Sequence, residues 1–151
     1  MKNVPEPLYV GVDVAKETLE VALGTGGAVQ TFTNDTEGHD ALLAVPHTVA
    51  LIVLEATGGY ERGAALALQE AGLPLAIVNP RQARDFARAL GYLAKTDRID
   101  ARALAELAWV LDRHPDREKL VKRLPDAKQR QLQALMARRR QLVSMLGSER
   151  N

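Results

Sequence analysis

The sequence predicts an α/β protein with a mixed five-stranded sheet, helices flanking the sheet, and a long C-terminal helix. Three strand-like segments follow one another at the N-terminus, which is typical of an antiparallel meander. Two later apolar runs alternate with helical patterns, which favours parallel pairing. The last segment repeats apolar residues at heptad-like spacing, which predicts one extended helix.

The N-terminal half supplies four of the predicted strands. Residues 8–14 are rich in Val and Tyr, residues 18–23 alternate apolar with smaller or polar side chains, and "AVQTFTN" completes the meander after a glycine turn. The segment "TEGHDALLAV" predicts a short helix. The continuous apolar run in "TVALIVLEATGG" then suits a strand that is buried on both faces.

The C-terminal half is mostly helical. Residues 60–71 predict a helix closed by Gly72, "LPLAIVN" predicts a fifth strand, and a helix opens at Pro80. Further helices are predicted over 97–111 and 125–146; the apolar positions of the last one are Leu132, Leu135, Leu142, Met145 and Leu146. We expect a globular unit over residues 1–123 and a coiled-coil-like helical unit over 124–151.

Charge is distributed unevenly along the chain. The formal net charge is only +1, but residues 1–78 contain 3 Lys/Arg and 10 Asp/Glu, whereas residues 79–151 contain 17 and 9. This corresponds to −7 for the first part and +8 for the second. A basic C-terminal part predicts a polyanionic partner for that part, although solvated helix faces would produce the same imbalance.

Composition excludes several classes of protein. The chain has no cysteine, so disulfides, thiolate metal sites and cysteine nucleophiles are excluded. No apolar run approaches the ~20 residues of a membrane span, and the N-terminus has no apolar core of signal-peptide length. The histidines His39, His47 and His114 are scattered without ligand spacing. We therefore expect a cytoplasmic protein with no membrane partner.

Two acidic residues stand at the ends of predicted strands. Asp13 follows "YVGV", and Glu55 follows the aliphatic residues of "LIVLE". A lone buried carboxylate costs several kcal/mol, so an acid in this position suggests a partner. If the two strands are parallel neighbours, both acids emerge at the carboxyl edge of the sheet, where open α/β sheets place their sites.

A second acidic pair lies in "KTDRIDARALAEL". Asp97 and Asp100 are three residues apart at the start of a predicted helix, so their side chains leave within reach of each other. Four converging carboxylates need cations, and oxygen-only ligands suit Mg²⁺ or Mn²⁺. Each acid also has a structural alternative: Asp97 as a helix cap, Asp100 as a first-turn residue and Asp13 as a turn residue.

Four segments resemble one protein family. "GVDVAK", "LEATGGY", "NPRQARDFARALGYLAKTDRIDARALA" and "RRRQLVSMLGSERN" are similar to the N-terminal domain of the RuvC-like DEDD transposases. These are recombinases of bacterial insertion sequences that are associated with bridge-RNA guidance. The resemblance implies a ribonuclease H-like fold with Asp13, Glu55, Asp97 and Asp100 as the metal-binding, catalytic tetrad.

The same resemblance implies a DNA transposase or recombinase whose attacking serine comes from a second domain. We expect that domain to be missing here and the chain to be inactive in strand exchange alone. Ser144 and Ser148 lie on the last helix without a flanking base, so they are interpreted as surface residues.

Basic residues surround the acids and continue into the last helix. Such residues hold a polyanion near carboxylates, and the expected partners are DNA and a guide RNA. The predicted nucleic-acid contacts are Lys16, Arg81, Arg84, Arg88, Lys95, Arg98, Arg102, Arg138, Arg139 and Arg140. Gly58 and Gly59 suggest either a phosphate-binding loop or a simple turn. The apolar stripe of the last helix predicts a homo-oligomer.

Three other functions compete with this interpretation. A stand-alone nuclease of the Holliday-junction-resolvase type would use the same acids with water as the nucleophile. A non-catalytic nucleic-acid-binding module would use the acids structurally. An actin-like kinase would share the first strands, but "DVAKETLE" lacks the Gly/Ser/Thr phosphate loop expected after the first aspartate.

Overall fold

A computed structural model describes residues 5–45, 48–92, 97–121, 124 and 127–149, with the side chains of 97–99 outside that description. The strands are β1 (Leu8–Val14), β2 (Thr18–Leu23), β3 (Val29–Thr33), β4 (Val49–Glu55) and β5 (Leu75–Val78). The helices are α1 (Thr36–Leu43), α2 (Arg62–Glu70), α3 (Pro80–Ala89), α4 (Asp97–Asp112), α5 (Arg117–Leu120) and α6 (Ala127–Glu149).

The five strands form one sheet in the order β3-β2-β1-β4-β5. β1 pairs antiparallel with β2, and β2 with β3, whereas β4 runs parallel to both β1 and β5. This is the ribonuclease H-like arrangement, so the predicted mixed sheet is confirmed. The predicted bounds of β1 and β2 agree with the structure. The short helix α5 was not predicted, because four residues give too little periodicity.

One face of the sheet is covered by α1 and α2. Leu42 of α1 and Leu68 of α2 are buried against alternate strand residues, including Val12 and Leu54. The alternation of side chains along a strand sends the intervening residues to the other face. That second face is covered by α3 and α4, where Leu104 packs with other apolar residues of these helices and strands.

Gly11 sets the distance between β1 and α4. A Cβ atom built on Gly11 would lie 2.0 Å from the backbone oxygen of Ala101 and 2.3 Å from the backbone nitrogen of Ala105. No side chain fits in that space, so the glycine allows the helix backbone to rest directly on the strand. Ala101 and Ala105 are themselves fully buried, which keeps the helix surface small at this contact.

The direction of α4 follows from a second contact with the same strand. The Tyr9 hydroxyl donates a hydrogen bond of 3.0 Å to Asp112, the last residue of α4. Tyr9 and Gly11 lie on the same face of β1, and they meet the end and the first third of the helix respectively. The helix therefore runs opposite to β1, and its first turn lies toward the carboxyl end of that strand.

Helix α3 begins with a capping box. The Asn79 side chain accepts a hydrogen bond of 2.8 Å from the Gln82 backbone, and the Gln82 side chain accepts one of 3.5 Å from the Asn79 backbone. Pro80 occupies the first helical position, where its missing N–H costs nothing. The "NPRQ" segment therefore has a local structural function, which is to start α3 immediately after β5.

Helix α6 is exposed along its length in the described part of the chain. Its apolar residues have large exposed fractions, with Leu135 at 68% and Leu146 at 60%. The Ser148 hydroxyl donates to the Met145 carbonyl at 2.8 Å, which agrees with a surface serine. None of the helices in the described segments is long and apolar enough to cross a membrane.

Candidate metal centre

Asp13 and Glu55 stand side by side at the carboxyl edge of the sheet. The parallel register of β1 and β4 runs to Val12 opposite Leu54, which is one residue before each acid. Asp13 shares a face with Gly11, and Glu55 shares a face with the buried residue Val53. Both acids therefore lie on the face that α4 covers, and both are partly buried.

The first turn of α4 extends over this same edge. Ala101 lies above Gly11, and Asp97 begins the helix one turn, about 5.4 Å, before Ala101. Asp13 is two residues beyond Gly11, an advance of about 6.7 Å in the same direction. The helix end that contains Asp97 and Asp100 thus lies toward Asp13. Asp100 is partly buried, and the side chain of Asp97 is outside the described residues.

The four acids offer a donor set that suits a hard divalent cation. All of the potential ligands are carboxylate oxygens, the type that Mg²⁺ and Mn²⁺ prefer. Among the side chains that the structure describes, no group of three or more His, Asp or Glu is arranged to hold a metal ion. Asp13, Glu55 and Asp100 are among those side chains, so these three carboxylates do not form such a group, and the side chain of Asp97 is outside the set. The fit therefore depends on the chemistry of the donors and on their common edge.

The loop that follows Glu55, residues 56–61, closes on itself through Glu61. The Glu61 carboxylate accepts hydrogen bonds of 3.0 Å from the backbone N–H groups of Thr57 and Gly59. Gly58 and Gly59 have φ values of 59° and 96°, which favour glycine. These amides are used by the chain's own carboxylate, so the structure favours the turn over the phosphate-binding loop.

The predicted nucleic-acid contacts separate into three groups. Lys16 is exposed in the turn after β1, and Arg81 and Arg84 are exposed on the first turns of α3, which follows the carboxyl end of β5. Arg88 is also exposed, and its guanidinium lies 3.9 Å from Asp85. A separate group lies on α6, where Arg138, Arg139 and Arg140 are exposed.

The remaining predicted contacts lie near the start of α4. Arg102 is exposed on the second turn of this helix. Lys95 and the side chain of Arg98 are outside the described residues. Just before that gap, the Tyr92 hydroxyl donates a 2.8 Å hydrogen bond to Glu106. This bond raises the pKa of Tyr92, because the neutral phenol is the donor that the carboxylate needs.

A comparison with protein families decides the relationship of this chain. The model of a transposase family, the DEDD transposases of the IS110 type, matches residues 10–151. The chain belongs to this DEDD transposase family. The match begins within β1 and includes every later element, so all four predicted acids of this family member lie inside it.

Two curated relatives are pilin gene-inverting proteins. The one from Moraxella lacunata is 35% identical over 106 residues, and the one from Moraxella bovis is 34% identical over the same length. Each alignment covers 64% of this transposase-family chain and 33% of the relative. The chain thus matches about a third of the length of these relatives.

Solved structures with a similar fold include RuvC of Thermus thermophilus. RuvC in complex with a Holliday junction substrate has a TM-score of 0.49 and 15% identity. The alignment covers 79% of this family member and 100% of the RuvC chain. A second structure of Thermus thermophilus RuvC has a TM-score of 0.45 and 14% identity, and it covers 76% and 98% of the two chains.

Sequence reasoning did not identify several residues that shape this edge. Glu61 and Asn34 were missed because a loop carboxylate or a lone amide has no spacing that reveals its partner. Gly11 could have been found, because a glycine inside an apolar strand often marks a close backbone approach. The capping box at Asn79 and Gln82 also has a readable signal, namely a capping residue followed three positions later by Gln.

Proposed function

We propose that this chain is the metal-binding catalytic domain of a DNA transposase or recombinase. The observation that supports this most strongly is the position of Asp13 and Glu55. They lie at the carboxyl ends of neighbouring parallel strands, on the face that α4 covers. Membership of the DEDD transposase family gives this edge of the sheet its expected chemistry, which is the cleavage and joining of DNA phosphodiesters.

Asp13, Glu55, Asp97 and Asp100 would hold Mg²⁺ or Mn²⁺. A bound ion of this type supplies Lewis-acid polarisation of a phosphate oxygen. The chain's own contribution is to keep the carboxylates together at a fixed edge, two on a sheet and two on a helix that rests on the sheet. For strand exchange, we expect the attacking serine to come from a second domain, as the family resemblance implies.

The metal assignment predicts a thermal response. Millimolar Mn²⁺ should raise the melting temperature of the chain, because a ligand that binds only the folded state stabilises it by mass action. At a concentration 100 times the dissociation constant, the gain is about 2.7 kcal/mol. Asp13→Asn should remove most of that gain. Thermal unfolding followed by circular dichroism, with and without Mn²⁺, measures both quantities.

The matched control for this experiment is Glu70→Gln. Glu70 is an exposed acid at the C-terminal end of α2, which leads to the amino end of β5, the edge opposite Glu55. Its substitution removes the same charge without touching the proposed site, so the Mn²⁺ response should be unchanged. An equal Mn²⁺ response in Asp13→Asn and Glu70→Gln would remove Asp13 from the ligand set.

DNA is the proposed partner of the basic residues near this edge. Lys16, Arg81 and Arg84 emerge from elements that begin or turn at the carboxyl edge, so a phosphate backbone that reaches the acids would pass them. Lys95, Arg98 and Arg102, next to the second acidic pair, are included in the same surface. Guide-RNA binding is proposed from the family resemblance, with Arg138, Arg139 and Arg140 on α6 as its contacts.

This surface predicts salt-dependent binding of duplex DNA. Affinity should fall steeply as salt rises, because each neutralised phosphate releases counterions with a slope of about −0.9 per contact. Replacing Arg81, Arg84 and Arg88 together by alanine should make the slope shallower by about 2–3. Fluorescence anisotropy across a salt series measures the slope, and Lys119→Ala on α5 is the control. An unchanged slope in the triple variant would exclude these arginines as phosphate contacts.

Helix α6 is proposed to pair with the same helix of a second copy. Its apolar residues Leu132, Leu135, Leu142, Met145 and Leu146 are each at least 44% exposed. An exposed stripe of this length and spacing favours a helical partner. Two chains joined in this way would present two catalytic edges, as a reaction that joins two DNA sites requires.

A further inference from the structure

We propose that Asn34 is a positioning residue that sets the spacing of Asp13 and Glu55. This inference rests on the proposed function of those acids. Asn34 lies between β3 and α1, outside the strands that contain the acids. Its side chain nevertheless joins the turn that follows one acid to the loop that follows the other.

Both amide protons of Asn34 are used for this connection. The Nδ2 group donates to the carbonyl oxygen of Ala15 at 2.9 Å and to that of Tyr60 at 3.0 Å. Ala15 is two residues after Asp13, and Tyr60 is five residues after Glu55. The Asn34 backbone N–H also donates to the Glu17 carbonyl at 2.8 Å, so Asn34 contacts the β1–β2 turn at two points.

The side-chain oxygen of Asn34 has its own partner. Nε2 of His39 lies 2.9 Å from Oδ1. Because Nδ2 faces two carbonyl oxygens, Oδ1 must accept, and His39 must donate from Nε2. Burial lowers the pKa of His39 despite the nearby charges of Asp35 and Asp40, so the neutral ring is favoured. The network therefore fixes the orientation of the amide without a charge.

The backbone next to Asn34 is also held in place, by its neighbour Asp35. Asp35 caps α1 by accepting hydrogen bonds from the Gly38 backbone at 2.8 Å and from the Thr33 hydroxyl at 2.7 Å. The Gly38 bond is the larger cause of a lowered pKa for Asp35. Asn34 is thus anchored immediately before a capped helix, and it can act as a fixed point for the two segments it joins.

The location of the link explains why it matters for the acids. The described β1–β4 register runs to Val12 and Leu54. On its other side the Glu55 strand continues to pair with β5, where the Ala56 N–H donates to Val78 at 2.8 Å. Asn34 joins the β1 side to the β4 side just beyond the acids. Residues that hydrogen-bond directly to metal ligands typically change metal affinity by about 10–100-fold when substituted. Asn34 acts through the backbone beyond the acids, so the lower end of that range is expected.

The test compares Asn34→Asp with Gln69→Leu in the complete chain. Asn34→Asp has the same shape but places an oxygen opposite two carbonyl oxygens, so it loses both donated bonds. The Gln69 side chain also makes two hydrogen bonds to a distant backbone: it donates to the Leu124 carbonyl at 2.8 Å and accepts from the Leu124 N–H at 2.7 Å. It does so near the opposite edge of the sheet, and its substitution controls for a general loss of stability.

Two measurements are made on each variant. Hydrogen–deuterium exchange reports on residues 15–18 and 56–61, and Mn²⁺ affinity is measured by calorimetry with the metal alone. Asn34→Asp should exchange faster in both segments and bind Mn²⁺ about tenfold more weakly, whereas Gln69→Leu should match the wild type in both. His39→Gln keeps an N–H donor for Oδ1 and should also match the wild type.

Wild-type Mn²⁺ affinity in Asn34→Asp would overturn the inference, whatever the exchange shows. If the wild-type chain binds no Mn²⁺, the proposed function fails, and the hydrogen-exchange data alone then test the connection made by Asn34. In that case, unchanged exchange in Asn34→Asp overturns the inference about Asn34. If Asn34→Asp does not fold, Asn34→Ala, which also loses both donated bonds, takes its place with the same expected and contrary results.

Discussion

Glu55→Gln is expected to lower metal-dependent DNA strand cleavage by about a thousandfold or more in a transposase polypeptide that includes this chain. The substitution keeps the shape of the side chain and removes its charge. Several kcal/mol of transition-state stabilisation depend on correctly held metal ions, and each 1.36 kcal/mol is tenfold in rate. Cleavage of a labelled DNA end in Mg²⁺, followed over time, measures the rate.

The fold should survive this substitution. Glu55 is the last residue of β4 and is only partly buried, so the amide should cost little stability. The thermal midpoint of Glu55→Gln without metal should therefore remain close to that of the wild type. Glu70→Gln, at the opposite edge, should cleave DNA normally. A Glu55→Gln protein that is folded and fully active would exclude Glu55 from catalysis.

The strands, in their succession along the chain, were accessible from the sequence because their signals are local. Alternation over residues 18–23 and the continuous apolar run before Glu55 specify how each strand is buried. The prediction of a shared edge for Asp13 and Glu55 needed one further assumption, that β1 and β4 are parallel neighbours. The structure confirms that pairing. Membership of the DEDD transposase family, predicted from the quoted motifs, is confirmed as well.

The connections between segments were not accessible, because they depend on distances that no local pattern encodes. Asn34 binds Ala15 and Tyr60, which are 19 and 26 residues away. In the sequence, His39 showed only that it lacks the spacing of a metal ligand. It is partly buried and donates to Asn34, a contact that requires the fold to be known. Glu61 also closes a loop for which the two glycines had left both a phosphate-binding loop and a simple turn open.

The metal tetrad itself stays a prediction. Its chemistry was inferred from four acids. The β1–β4 register places Asp13 and Glu55 at one edge, and two contacts of α4, at Tyr9 and at Gly11, direct the start of that helix toward the same edge. The second of these contacts is the more sensitive. A helix held at a backbone-to-backbone distance has no flexible side chain between it and the strand to absorb a change.

Gly11→Ala is therefore expected to destabilise the chain by about 3 kcal/mol or more, at the upper end of what overpacking costs. The new Cβ would meet the backbone of Ala101 and Ala105 at 2.0 and 2.3 Å, so α4 must move away from β1. A domain of this size should lose roughly 10 °C in melting temperature. Gly147→Ala is the matched control, since nothing lies within 4 Å of its added Cβ and alanine favours a helix.

Moving α4 also carries Asp97 and Asp100 away from Asp13. The Gly11→Ala protein that remains folded at low temperature should thus bind Mn²⁺ more weakly, whereas Gly147→Ala should bind it as the wild type does. Urea unfolding followed by circular dichroism gives the stability, and calorimetry at 10 °C gives the affinity. If the free energy of unfolding of Gly11→Ala is within about 0.5 kcal/mol of the wild-type value, as for a neutral surface substitution, the close approach of α4 to β1 is wrong. If stability falls while Mn²⁺ affinity is unchanged, the acids of α4 do not share a site with Asp13.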